Sequence, residues 1–352
     1  MARTSADSMN EQTPASPDPR QLARDLKHFM TPRTGRGTWE LGSTLAAFLA
    51  LFTILLFAVG AGYWWALIGT PVAGMLLLRL FIIQHDCGHG SFLPSKAWND
   101  WIGRSLGVLT FTPYDCWRQS HAIHHSATGN LDRRGFGDVD TLTVEEFDQK
   151  SATGRLLYRI YRHPLILLGL GPAYLFLLRH RLPIGLMKEG ARYWVSAMAT
   201  NAAIAGIATG LIYAFGVAVV AAVFFPVILT AATVGVYLFY IQHQFDGAKW
   251  ERKADWSYHE AALGGSSYLH LPQPLRWFTG NIGVHHVHHL ASTIPFYRLT
   301  EVMREHPGLS EVNRFRVRQS FRALRLALWD EEERRLVTFR EAKLRRAQMA
   351  AA

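Results

Sequence analysis

The chain reads as an all-α membrane protein, four transmembrane helices carrying a cytosolic helical cap with a histidine-rich dimetal site. Three observations predict this. No Asp, Glu, Lys or Arg occurs from Leu41 to Leu78, or again from Tyr193 to Phe245. Each stretch is about twice the ~20 residues that a bilayer-crossing helix needs. Histidine is concentrated in three clusters: His85 and His89; His121, His124 and His125; His285, His288 and His289. The basic residues lie outside the apolar stretches, as in a membrane protein oriented by its positive loops.

Along the chain, Met1 to Gly37 is polar and rich in Pro and Ser, with no apolar core near its start. It is no secretory signal, and residues 1–37 are expected to be a disordered cytosolic tail. A membrane domain follows over 38–305. Its first apolar stretch divides at Gly60-Ala61-Gly62, before Tyr63, Trp64 and Trp65, which suit the lipid–water interface. Crossings are expected at about 41–59 and 64–84. The second stretch divides between Tyr213 and Gly216, giving crossings at about 193–213 and 217–242, the last kinked at Pro226.

Between the pairs, Pro164 to Leu178 is apolar but about 15 residues long, with Arg162 and His163 before it and Arg179, His180 and Arg181 after it. That is too short for a crossing and reads as an interfacial helix, about 164–178. Residues 306–352 read as cytosolic amphipathic helices that pack as a lid, with Phe315, Val317, Phe321, Leu324 and Leu328 as the buried stripe.

Charge decides the orientation. The N-terminus, the middle loop (Arg133, Arg134, Arg155, Arg159, Arg162) and the C-terminal region are basic, while the short turns are uncharged. The basic parts are therefore expected in the cytosol. Two crossings separate the second cluster from the third, so all three clusters share one face of the membrane. The net charge of +10 follows this bias and does not indicate nucleic acid. It suits anionic headgroups or an acidic redox partner. Cys87 and Cys116 are too few for a disulfide framework and are expected as free thiols.

On a helix, residues i, i+3 and i+4 share a face, so each cluster aims its imidazoles at one point. Neutral imidazole ligates iron, zinc, copper or nickel. Eight nitrogens exceed what one tetrahedral ion uses. His243, which ends Tyr240-Ile-Gln-His as His85 ends Ile82-Ile-Gln-His, is a ninth candidate. Nine suit two irons with four or five nitrogens each. Zinc would be satisfied with three or four ligands, and no His-Glu-x-x-His motif is present. An all-histidine cage open to a membrane suits oxygen activation by iron.

Asp86, Asp138, Asp140 and Asp246 are candidates to orient imidazoles. Asn281, four residues before His285, could hold a metal-bound water or cap a helix. His286 points off the ligand face. His28, His163, His180, His259 and His270 lack ligand spacing and are expected at the surface or interface. His306-Pro307-Gly308 is only a partial match to a haem-binding segment.

The boxes H-x3-H, H-x2-H-H and H-x2-H-H, with four crossings in this order, resemble the membrane fatty acid desaturase family. Phe278-Thr-Gly-Asn-Ile-Gly-Val-His-His-Val-His-His-Leu290 is similar to the third box of bacterial acyl-lipid Delta-12 (omega-6) desaturases, and Tyr240 to Phe245 resembles the segment after their fourth helix. The resemblance covers about residues 40–300. It implies a diiron enzyme that uses O2 as co-substrate and two electrons from a separate ferredoxin or cytochrome b5-like donor. Hydrogen is removed from two adjacent methylenes of a fatty acyl lipid, leaving a cis double bond. It also implies an integral protein of a bacterial inner membrane with its site on the cytosolic face. Trp117 and Phe278 are candidates to line an acyl tunnel, with ordinary packing as the alternative. Related hydroxylases and ketolases acting on alkanes, carotenoids or other lipids share the boxes and are the competing reading. A non-enzymatic haem or metal carrier is the third.

Overall fold

The computed structural model describes residues 18–351. Four helical spans are long and apolar enough to cross a bilayer: Thr34–Gly60, Trp64–His89, Ala191–Phe215 and Val217–His243. We label the main helices α1 (Thr34–Gly60), α2 (Thr70–His89), α3 (Lys96–Leu109), α4 (Tyr114–Ala127), α5 (Ala191–Phe215), α6 (Val217–His243), α7 (His285–Leu290) and α8 (Val317–Ala323). A 3₁₀ segment, Trp64–Gly69, leads into α2.

The central helix is α2, which packs on α1, α3 and α6. Its approach to α6 is close because Gly74 has no side chain. A Cβ there would lie 2.6 Å from Thr230 Cβ and 2.8 Å from the Val227 carbonyl oxygen. Small residues allow such contacts in bundles where lipid removes the hydrophobic drive between helices. Arg79 and Glu40 are buried and paired between α2 and α1. The outer faces expose Trp65, Ile68, Val195 and Tyr213, as expected of surfaces meeting lipid. Helix α6 continues through Pro226, whose carbonyl accepts from the Thr230 hydroxyl at 2.7 Å.

The segment expected as interfacial is helical and bent. Ala152–Tyr161 and Ile166–Arg181 meet at 57°. Leu165, Leu170, Tyr174 and Leu178 project outward, while the Leu168 carbonyl accepts from Thr233 of α6 at 2.9 Å.

Two expectations are corrected. Residues 18–37 are built into the fold, although 1–17 lie outside the described residues. A helix, Pro19–Asp25, starts on an Asp18 cap and continues as a 3₁₀ turn, Leu26–Met30. Leu22, Leu26 and Phe29 recur at helical spacing and are buried. Arg298 holds the turn through the carbonyls of His28 (2.9 Å) and Thr31 (3.2 Å). Helix α1 accordingly begins at Thr34, seven residues before the charge-free stretch, because its Glu40 is neutralised by Arg79 and Arg36.

The C-terminal region is likewise not purely helical. It contributes β3 (Arg314–Arg316), β4 (Leu328–Asp330) and β5 (Arg335–Val337), which join β1 (Leu142–Thr143) and β2 (Tyr268–His270). β4 is central, parallel to β1 and antiparallel to β5, so all three of its residues are buried. β2 and β3 pair in parallel. Of the expected stripe, Leu328 is buried, Phe315, Val317 and Leu324 are half-buried, and Phe321 is 59% exposed.

Arg162 ties this cap to the bundle. Its buried guanidinium donates to Tyr240 Oη (2.9 Å), Gln244 Oε1 (3.0 Å), Thr141 Oγ1 (3.1 Å) and the carbonyls of Asp140 (3.0 Å) and Leu326 (2.8 Å).

Candidate metal centre

All three clusters lie on helices. His85 and His89 end α2, where Gly90 stops the helix with φ 70°, a conformation glycine adopts without Cβ strain. His121, His124 and His125 lie on α4, His243 ends α6, and α7 carries the third cluster. Buried glutamines fix the two similar helix ends. Gln84 accepts from Thr110 Oγ1 at 2.6 Å, and Gln242 donates to the Ile282 carbonyl at 2.9 Å. Short α7 is hung from the cap by the His285 amide, which donates to the Ser267 carbonyl at 3.1 Å.

The nine imidazoles converge as two groups. One holds His85, His89, His121, His125 and His288; the other holds His124, His243, His285 and His289. Within each group, one ligand atom from every residue lies within 4.8 Å of the others. In the first, Nε2 of His121 is 3.0 Å from those of His89 and His125, and His125 is 3.1 Å from His288. In the second, His243 is 3.2 Å from His124 and 3.0 Å from His285, and His285 is 3.1 Å from His289. Nitrogens about 2.1 Å from one ion and at right angles are about 3.0 Å apart, so these separations fit shared ions.

The outer contacts settle tautomers. Nδ1 of His124 faces the Asp138 carboxylate, and Nδ1 of His243 faces the Gly265 carbonyl oxygen at 3.2 Å. Each acceptor requires a proton on Nδ1, which in the neutral ring leaves Nε2 as a lone pair. His85 Nδ1 likewise donates to Asp86 Oδ1 at 3.1 Å, while Asp86 Oδ2 accepts the Phe296 amide at 2.6 Å. Burial, reinforced by neighbouring imidazoles, holds His121, His125, His285, His288 and His289 well below the usual histidine range. That favours the neutral form of these five rings, the form in which imidazole ligates a metal.

Asp86 and Asp138 thus each contact the Nδ1 of a histidine in one of the two groups. Asp140 instead supplies its carbonyl to Arg162, and Asp246 pairs with Arg322 at 3.1 Å. Asn281 sits in the turn before α7, not on its helix, with φ 55° and its Oδ1 accepting from Arg276 at 3.4 Å. The reason is that α7 begins only at His285. His286 is buried and donates to the Leu309 carbonyl at 3.0 Å, outside both groups. Among the remaining histidines, His28 and His163 are exposed and His180, His259, His270 and His306 are half-buried.

Two partners escaped the sequence reading. One is the Gly265 carbonyl, which no side-chain pattern announces. The other is Tyr258, whose hydroxyl donates to the His289 carbonyl at 2.8 Å. Trp117 stacks on His121 (4.6 Å, 16°) and touches His85 at 5.7 Å. It also meets Phe81 at 5.4 Å, and Phe81 meets Phe176 of the bent segment at 6.3 Å. His89, His121 and Trp117 are half-buried while the other ligand candidates are buried, so this is the site's open side. Phe278 packs on Trp277 at 5.1 Å.

Four apolar spans, two of which end on the imidazole groups, define a membrane protein able to hold metal at one end of its bundle. The family model for fatty acid desaturases matches residues 62–321, and the chain belongs to the fatty acid desaturase family. It is 40% identical over 337 residues to a Bacillus subtilis fatty acid desaturase, covering 95% of this chain and 94% of that one. It is 31% identical over 273 residues to a Synechocystis sn-1 acyl-lipid omega-3 desaturase (ferredoxin), covering 73% and 72%. A Synechocystis sn-1 oleoyl-lipid 12-desaturase is 28% identical over 271 residues, covering 70% and 72%.

Proposed function

We propose that the protein is an O2-dependent diiron desaturase that places a cis double bond at the Delta-12 (omega-6) position of lipid-linked acyl chains. The observation that carries this reading is the division of nine imidazoles into groups of five and four. His85, His89, His121, His125 and His288 would hold one iron, and His124, His243, His285 and His289 the other. When bound, the irons supply oxygen activation and redox capacity. The overall change is balanced: –CH2–CH2– + O2 + 2 e⁻ + 2 H⁺ gives –CH=CH– + 2 H2O.

The chain's own residues position and protect. Asp86, Asp138 and the Gly265 carbonyl fix the ring orientations. The line Phe176, Phe81, Trp117 leads from the lipid-facing bent segment to His121. It offers an apolar path that would hold one methylene beside the metals, and such positioning is the protein's main contribution to a difficult hydrogen removal. The electrons come from a separate ferredoxin or cytochrome b5-like protein, a reading supported by the ferredoxin named for the Synechocystis relative. The distribution of basic residues supports a bacterial inner-membrane location with the site on the cytosolic face.

The test is expression in a host containing only saturated and monounsaturated lipids, with fatty-acid analysis by mass spectrometry. Dienoic acyl chains with the new bond at Delta-12 are expected. An added oxygen would assign the protein to hydroxylase or ketolase chemistry, and a bond at another position would overturn the Delta-12 assignment.

A further inference from the structure

We propose that the exposed basic face of β3 and α8 is seated on anionic phospholipid headgroups of the membrane that the protein spans. The inference does not depend on the metals or on the reaction.

Between Val312 and Trp329 the chain has five arginines, at 314, 316, 318, 322 and 325, and no acidic residue. All five are exposed. Arg314 pairs with Glu311 at 2.8 Å and Arg322 with Asp246 at 3.1 Å. Among the described residues, Arg316, Arg318 and Arg325 have no carboxylate at ion-pair distance. Residues 318, 321 and 322 follow i, i+3, i+4 spacing and share one face of α8, and Arg325 follows in the turn after it, its amide donating to the Arg322 carbonyl at 3.0 Å. Phe321 stands among the guanidiniums, 59% exposed.

The depth of this face identifies its partner. The opposite side of α8 lies against α6: Ser320 Oγ hydrogen-bonds Tyr237 Oη, and the Ala323 and Leu326 carbonyls accept from Tyr240 Oη at 3.4 and 2.8 Å. Tyr240 and Tyr237 precede the end of the span, His243, by three and six residues, or about 4.5 and 9 Å along a helix. Helix α8 therefore lies beside the last turns of a membrane-spanning helix, at headgroup level. A soluble acidic protein would have to reach below the rim of the cap to cover it. A headgroup phosphate is already at that depth, and an apolar ring between basic side chains suits the boundary between phosphates and acyl chains.

The experiment reconstitutes the purified full-length protein in nanodiscs of phosphatidylcholine with phosphatidylglycerol and counts retained lipids by native mass spectrometry. Wild type is expected to retain phosphatidylglycerol preferentially, and less so as salt rises. The R316Q/R318Q/R325Q variant should lose the preference, on the order of fivefold for each arginine removed. The R316K/R318K/R325K variant should keep it and controls for folding. Equal retention of the two lipids by wild type would overturn the proposal. So would a glutamine variant that keeps the lipid preference but no longer binds an acidic ferredoxin, which would mark a protein-docking face.

Discussion

Nε2 of His124 and Nε2 of His243 face each other at 3.2 Å with both Nδ1 protons committed, one to Asp138 and the other to the Gly265 carbonyl. Two lone pairs held in this way repel unless a cation lies between them. Replacing His124 with Ala, or His288 in the other group, should abolish turnover and leave membrane insertion intact. Iron content by plasma mass spectrometry together with product analysis checks this. Full activity in either variant would contradict the site.

Asp138 contacts a ligand candidate without belonging to either group of nitrogens. Asp138→Ala should weaken metal retention by about 10–100-fold, the usual effect of losing a carboxylate behind a ligating imidazole. Chelator competition on the purified protein measures it. An unchanged affinity would mean that the carboxylate does not orient His124.

Trp117 stacks on His121 at the open side of the site. Trp117→Ala should leave iron content unchanged but broaden the positions at which double bonds appear. Double-bond mapping of the products by mass spectrometry is the readout, and an unaltered product pattern would remove Trp117 from the acyl path.

Gly74 has no room for a side chain against Thr230 and Val227. Gly74→Ala should destabilise the bundle by roughly 1–3 kcal/mol through overpacking. It should also lower metal retention, because α2 and α6 deliver His85, His89 and His243 together. Thermal unfolding followed alongside iron release tests both effects.

Glu40 and Arg79 are buried together. Glu40→Gln leaves the guanidinium without its full counter-charge. The expected loss is about 3–5 kcal/mol, typical of breaking a buried pair from one side. A Glu40→Gln/Arg79→Met double variant should recover part of it in a thermal unfolding assay.

The histidine spacings made the centre legible, because ligand geometry and helical periodicity coincide at 121, 124 and 125 and again at 285, 288 and 289. Charge-free runs located the four spans for the same reason: the solvent imposes the pattern. Where tertiary context governs, the sequence misleads. Arg162 reads as one more surface positive charge, yet five acceptors from distant segments bury it. Leu22, Leu26 and Phe29 are too sparse to stand out in a polar tail, and their burial depends on partners more than 200 residues away, such as Arg298. Helical spacing extended upstream of His285 puts Asn281 on the ligand face, whereas the segment before His285 is a turn.

Both nitrogen groups draw on α7, one through His288 and the other through His285 and His289. During biosynthesis neither cage can close until the ribosome has passed the second half of the polypeptide and α7 has docked. Nascent chains stalled before Val284 would insert in the bilayer but expose incomplete ligand sets. A metal that needs either full ligand set can therefore be retained only by a nearly finished molecule.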